Sequence, residues 1–326
     1  MKDYLKEYEN CTLCPRKCGV DRTKGQVGFC NQTDKIRIAR AALHYWEEPV
    51  ISWGREDIST GDDCPDDCLD DCPGSGAVFF SGCNMGCIYC QNHDISAMNH
   101  GYDITIDELT EEFLRLQSEG ALNINLVTAA MFVPSVILAL KKARERGLTI
   151  PIVYNSSGYE SVETLKMLEG YIDIYLPDLK YLSSELAGEL SHAPDYPEMA
   201  KAAIAEMYRQ CKREMPDDKK EHKKMIVRHL VLPGHTKESM AVIKYLYETY
   251  GDDIYISIMS QYTPVERFLA DAEDTLSRYP ELTRRITERE YDKVVDYALG
   301  IGVKNAYIQE REVATESFIP EFCNKK

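Results

Sequence analysis

Phe79-Phe80-Ser81-Gly82-Cys83-Asn84-Met85-Gly86-Cys87-Ile88-Tyr89-Cys90-Gln91-Asn92 sets three thiols at Cys-x3-Cys-x2-Cys spacing. It follows an apolar, strand-like run, Ala77 to Phe80. Thiolates are soft ligands and hold iron–sulfur clusters. Three this close can wrap three corners of a four-iron cube. No fourth protein ligand lies nearby, so one iron is left open, as a catalytic metal site requires and a purely structural one avoids. The competing interpretation of the spacing alone is a structural zinc or disulfide loop.

The rest of the chain bounds what this loop can serve. Its 326 residues suffice for one large α/β barrel with a small module, and 44% hydrophobic content supports a sizeable core. A formal net charge of −16 argues against binding a nucleic-acid backbone, which needs clustered Lys and Arg. The apolar run Phe132 to Leu140 is short of a membrane span and meets Lys141-Lys142 at once. The N-terminal Met1-Lys2-Asp3-Tyr4-Leu5-Lys6-Glu7-Tyr8 lacks the apolar core of a signal peptide, so a cytoplasmic location is expected. In that compartment the twelve cysteines are expected to be thiols or metal ligands rather than disulfides. Cys211 and Cys323 read as free thiols.

Residues 1–40 read as a cysteine-rich metal-binding module. Cys11-Thr12-Leu13-Cys14-Pro15-Arg16-Lys17-Cys18 and then Cys30 make a set of four thiols, and Gly25 and Gly28 let the intervening loop turn back. Such a closed set suits structural zinc or a fully ligated iron–sulfur cluster, and the residues leave both open. Residues 41–75 read as a connecting segment. Within it His44, Glu47 and Glu48 could form an acid–base constellation; the plainer expectation is that Tyr45 and Trp46 pack while Glu47 and Glu48 are solvated. The same segment carries Cys64, Cys68 and Cys72 among six aspartates at 61–76, either a further metal site or a solvated acidic loop.

From residue 76 to 326 strand and helix patterns alternate. Strand-like runs fall at 76–81, 122–128, 150–155, 172–176, 225–232 and 253–259, with a further one at 304–309. Helical runs fall at 107–117, 133–146, 161–168, 196–215, 239–250 and 287–299. Repeated β/α units imply a curled parallel sheet with its site at the strand C-termini. The cysteine loop follows the first strand and so lies on that face.

The loop resembles that of radical S-adenosylmethionine (SAM) enzymes, whose motif is Cys-x3-Cys-x-aromatic-Cys, with Tyr89 as the aromatic. The wider stretch Phe79 to Asn92 is similar to pyruvate formate-lyase-activating enzymes and their uncharacterised relatives. Similar Cys-x-Leu-Cys-Pro segments, and the Leu43-His44-Tyr45-Trp46-Glu47-Glu48-Pro49 run, also occur in such relatives.

The resemblance implies an α/β fold: a partial (β/α)6 TIM-type barrel behind the small N-terminal module. It implies a four-iron four-sulfur cluster on Cys83, Cys87 and Cys90, with SAM on the open iron. It also implies reductive cleavage to a 5′-deoxyadenosyl radical that abstracts hydrogen from a substrate. For SAM it points to Tyr89, Asn155, Ser156, Asp178, Lys180, Arg228, Gln261 and Tyr262. Thr128 stands where the family's Gly-Gly-Glu-Pro lies; here Thr128-Ala129-Ala130-Met131 carries no carboxylate. Neutral Asn155 replaces a family acid. For Lys180 and Arg228 the plainer alternative is a salt-bridged interior with Asp178 or Asp173. A flavodoxin- or ferredoxin-type donor is implied as electron source. The substrate is either a glycyl-radical enzyme or a small molecule or peptide. A non-catalytic metal-binding protein is the alternative from another class.

Overall fold

The computed structural model describes residues 3–45, 47–52, 74–212, 224–264 and 277–309. The strands are β1 (Ile36–His44), β2 (Ser75–Phe80), β3 (Tyr102–Ile104), β4 (Ile124–Val127), β5 (Ile152–Ser156), β6 (Ile174–Pro177), β7 (Lys224–Leu230), β8 (Tyr255–Met259) and β9 (Ala306–Ile308). The helices are α1 (Pro49–Ser52), α2 (His93–Ser96), α3 (Ile106–Ser118), α4 (Val133–Glu145), α5 (Val162–Met167), α6 (Ser184–Ser191), α7 (Tyr196–Lys212), α8 (Thr236–Tyr250) and α9 (Glu288–Gly300).

The strands form one nine-stranded sheet in the order β3-β1-β2-β4-β5-β6-β7-β8-β9. From β2 through β9 every neighbouring pair is parallel. The expected β/α barrel is therefore present as an open, partial one. Every residue of β2, β4, β5 and β6 is buried, because outer helices cover one face and the lumen the other. Helix α3 shows how local sequence starts an element. Thr105 and Glu108 form a reciprocal capping box, and Leu109, Phe113 and Leu116 lie on its buried face. No helix among the described residues is long and apolar enough to cross a membrane.

Two departures from the sequence expectation matter for the site. Residues 36–44, which span the end of the expected module and the start of the expected connecting segment, form a strand antiparallel to both β2 and β3. Ile36 and Ile38 alternate inward and bury completely or nearly so. Residues 47–52 do not lie on the surface either. Ile51 is fully buried against Val153, Ile174, Leu176 and Ile226, side chains of three adjacent parallel strands. Its carbonyl accepts from Asn123 Nδ2 at 2.6 Å. This short helix thus fills part of the sheet's concave interior. Helix α6 is a further unexpected element; Ser183 caps it by accepting from Leu186 N–H. The acidic run with Cys64, Cys68 and Cys72, and Trp46 and Cys323, lie outside the described residues.

If α1 is core rather than linker, Ile51→Ala leaves a cavity and costs about 2–4 kcal/mol of unfolding free energy. Urea denaturation followed by circular dichroism measures this; a loss below about 0.5 kcal/mol, the usual size of a surface effect, would place α1 outside the core.

Candidate active site

The three thiols of the loop stand at the C-terminal end of β2. Gly82 and Gly86 take φ of 83° and 100°, and these left-handed positions let the chain turn back twice within a few residues. Burial pushes the Cys83 thiol up to about 12, and the neighbouring Cys87 and Cys90 add to the shift. Burial also raises Cys87 and Cys90. Each sulfur accepts a hydrogen bond. Met85 N–H donates to Cys83 Sγ at 3.4 Å, Ser191 Oγ to Cys87 Sγ at 3.0 Å, and Ser96 Oγ to Cys90 Sγ at 3.3 Å.

Three half-buried soft donors, each supplied with a hydrogen-bond donor, fit a cation that compensates thiolate charge. Among the described residues no three Cys, His, Asp or Glu side chains gather tightly enough for a single ion. As soft donors at the mouth of one loop, the three thiols suit a cluster with one corner per thiol, and the residues present fit that group.

Beside the thiols lies a buried ionic cluster from the next strand ends. Lys180 Nζ donates to Asp178 Oδ2 at 2.6 Å, and Arg228 Nε donates to Asp178 Oδ1 at 2.9 Å. Arg228 Nη2 donates to Asn155 Oδ1 at 2.6 Å. Burial alone would raise Asp178, but Lys180 and Arg228 outweigh it and hold the carboxyl below its usual range. Burial likewise works against the Lys180 ammonium, yet Asp178 and the Cys87 thiol raise its pKa. Both cations are therefore charged and paired, as the plainer alternative expected for the Asp178 partner. Asp173 instead sits at the start of β6, accepting from Ile152 N–H at 2.9 Å.

The expectation of solvated Glu47 and Glu48 is overturned. Glu47 Oε2 lies 3.6 Å from Arg228 Nη1, and Glu47 Oε1 accepts from Asn125 Nδ2 at 3.1 Å. Burial raises both carboxyls, with Arg228 opposing it. Glu48 Oε2 and Asn125 Oδ1 are buried with no hydrogen-bond partner. The segment before α1 carries these carboxylates inward, because Ile51 anchors it there. His44 takes no part; it packs edge-on to Phe79.

The remaining sequence candidates divide. Tyr89 hydroxyl is hydrogen-bonded to Tyr181 hydroxyl, Tyr181 to Ser191 Oγ at 3.0 Å, and Ser191 to Cys87. This hydroxyl chain ends on a cluster thiol. Tyr262 packs edge-on to Tyr89, but its hydroxyl donates to Leu282 O at 2.6 Å. Gln261 is tied to the loop through its carbonyl, which accepts from Gln91 Nε2 at 2.6 Å. Ser156 turns to its own loop, accepting from Gly158 N–H at 3.1 Å. Thr128 holds φ 60°, ψ 45°, an unfavourable conformation for a β-branched residue, and its N–H donates to Asn155 O at 2.9 Å. Ser96, Tyr181 and Ser191 carried no motif signal; they come from elsewhere in the chain and meet the thiols only after folding.

The N-terminal thiols lie near one another without forming a tight single-ion group. Cys11 is buried, Cys14 and Cys30 half-buried, and Cys18 exposed. Burial pushes Cys14 up to about 12, and Cys30, Cys11 and Cys18 raise it further, which places all four within electrostatic reach. Cys211 lies in α7.

The radical SAM superfamily model matches residues 77–246, from β2 into α8. The chain belongs to the radical SAM superfamily, whose activity rests on a four-iron four-sulfur cluster and SAM. It is 26% identical over 298 residues to an uncharacterized protein of Methanocaldococcus jannaschii, covering 89% of this chain and 75% of that one. It is 29% identical over 113 residues to the pyruvate formate-lyase-activating enzyme of Clostridium pasteurianum. That match covers 33% of this chain and 46% of the enzyme. A crystal structure of Streptococcus suis SuiB bound to S-adenosylmethionine aligns with TM-score 0.42 and 14% identity, over 71% of this chain and 46% of SuiB.

A hydrogen bond to a cysteinyl sulfur stabilises the more electron-rich, reduced cluster. If Cys87 ligates a cluster, Ser191→Ala is expected to lower its midpoint potential, read by an EPR-monitored redox titration; an unchanged or higher potential contradicts this. Thr128→Gly relieves the left-handed strain and is expected to raise stability by about 1 kcal/mol, read by urea denaturation. A destabilised glycine variant would show that the threonine side chain stabilises the loop by more than the strain costs.

Proposed function

We propose that this chain is a radical SAM enzyme whose cluster is held by Cys83, Cys87 and Cys90. The observation that carries this is the half-buried thiol trio beside the Lys180–Asp178–Arg228 ion cluster at successive strand ends. When bound, the cluster and SAM supply reductive cleavage of the sulfonium–C5′ bond and a 5′-deoxyadenosyl radical that abstracts hydrogen from the substrate.

The chain's own residues do the rest. Lys180 and Arg228 offer charged donors to the SAM carboxylate, with Asp178 orienting both. The backbone around Thr128 receives the SAM ammonium in place of the missing carboxylate, and Asn155 and Ser156 border it. Tyr89, Gln261 and Tyr262, which pack together beside the loop, would border the adenosyl unit and limit water there. A flavodoxin- or ferredoxin-type protein supplies the electron. The four thiols of the N-terminal module hold a second metal, zinc or an iron–sulfur cluster.

The hydrogen donor in the activase reading is a glycine of a partner glycyl-radical enzyme. A small molecule or peptide is the second reading. It is favoured by Ile51 and Glu47, which take up part of the sheet's concave side next to Arg228.

The test is anaerobic. The chain is reconstituted with iron and sulfide, metal content is counted, dithionite and SAM are added, and 5′-deoxyadenosine is measured. Wild type is expected to form product and Cys83→Ala to form none. A loaded wild-type cluster that leaves SAM intact would overturn the enzymatic reading. Iron beyond four per chain, or one zinc, assigns the metal of the module.

A further inference from the structure

Arg16 belongs to the N-terminal module, but its side chain is committed to the cluster loop. Nε donates to Asn84 O at 2.9 Å and Nη2 to Met85 O at 3.0 Å. Those two carbonyls stand between Cys83 and Cys87. The guanidinium also lies 3.9 Å from the Phe29 ring centroid, stacked on it. Phe29 in turn closes on Gly86, where an added Cβ would stand 3.2 Å from Phe29 Cζ. At the other end of the loop, a Cβ on Gly82 would stand 2.7 Å from Cys30 O and against the Gln32 side chain. From the barrel side Asn84 Nδ2 donates to Tyr159 O at 2.6 Å, and past residue 86 the loop is held by the barrel, with Ile88 N–H donating to Leu190 O at 3.0 Å and Ser191 Oγ to Cys87 Sγ at 3.0 Å. Module residues 16, 29, 30 and 32 thus brace residues 82–86, the part of the loop that sets Cys83 relative to Cys87.

The loop needs this brace. It runs between β2 and α2 without helix or strand, and its two left-handed glycines give it freedom to lose the conformation that aims two thiols at one space. A planar guanidinium can hold two successive carbonyls at once, where an ammonium is a single point of attachment. Arg22 makes a parallel contact, donating to Met131 O at 2.6 Å in the loop after β4.

We propose that Arg16 is a positioning residue for the cluster loop, so that the folded four-cysteine module sets the shape in which Cys83 and Cys87 receive iron. This rests on the cluster assignment made above. The Arg16 side chain donates to none of the three loop thiols; it acts through the carbonyls of Asn84 and Met85.

The experiment compares wild type, Arg16→Lys and Arg16→Ala after anaerobic reconstitution. It records iron and sulfide per chain, the rate at which a chelator strips iron, and the EPR line shape of the reduced cluster. Loss of two charge-assisted hydrogen bonds is expected to speed iron loss about tenfold in Arg16→Ala, with an altered line shape. Arg16→Lys keeps the charge and one donor, so it falls between, and it carries the test should the alanine variant fail to fold. Wild-type stripping rate and line shape in both variants would overturn the proposal while leaving the cluster assignment standing. A wild type that takes up no cluster would overturn the assignment, and the positioning role with it.

Discussion

Three half-buried thiols at the end of one strand are the constraint on which the site depends. Burial favours the neutral thiol, so the trio carries charge only when a cation compensates it. Cys83, Cys87 and Cys90 all feel this pressure, and Lys180 eases it from the strand end across the sheet. Lys180 is itself buried and stays charged through Asp178, which also holds Arg228. Removing any one of these charges would leave the others uncompensated, a costly condition in a low-dielectric interior. The parallel order of β2, β4, β5, β6, β7 and β8 puts the loops after these strands on one face, which is why residues 83 and 228 can belong to one site.

The chemistry of the site was legible where it is local in sequence. Cys83, Cys87 and Cys90 lie within eight residues, and Asp178, Lys180 and Arg228 recur at strand ends whose apolar runs are plain. What the sequence hid is what folding brings in from a distance. Arg16 reaches Asn84, Ser191 reaches Cys87, and Glu47 reaches Arg228, with no local pattern to announce any of them. Glu47-Glu48 reads as a solvated pair by composition; only the burial of Ile51 a few residues on reveals that the segment turns inward. Strand β1 was obscured by Arg37 and Arg40, whose charges interrupt an otherwise alternating run. Helix α6 is short and holds Gly188, so its propensity is weak, and the Ser183 cap was the signal that could have found it.

The whole chain is strongly acidic, yet the cations that matter are placed individually. Lys180 and Arg228 sit inside, where each is paired, and Arg16 and Arg22 fasten the module to two neighbouring loops. Net charge therefore says little about the site. The left-handed Thr128 adds a second kind of local cost, held by the Asn155 carbonyl on the adjacent strand. Strain and buried charge both concentrate at the strand C-termini, the face where a barrel of this type works.

The central claim is that Cys83, Cys87 and Cys90 hold a cluster with one iron left without a protein ligand. A Mössbauer spectrum of the chain reconstituted with 57Fe, taken before and after SAM is added, tests it most directly. The account predicts a four-iron cluster in which a single iron changes its signature when SAM arrives. Irons that remain unchanged by SAM, or a trio of thiols that binds no iron at all, would contradict it.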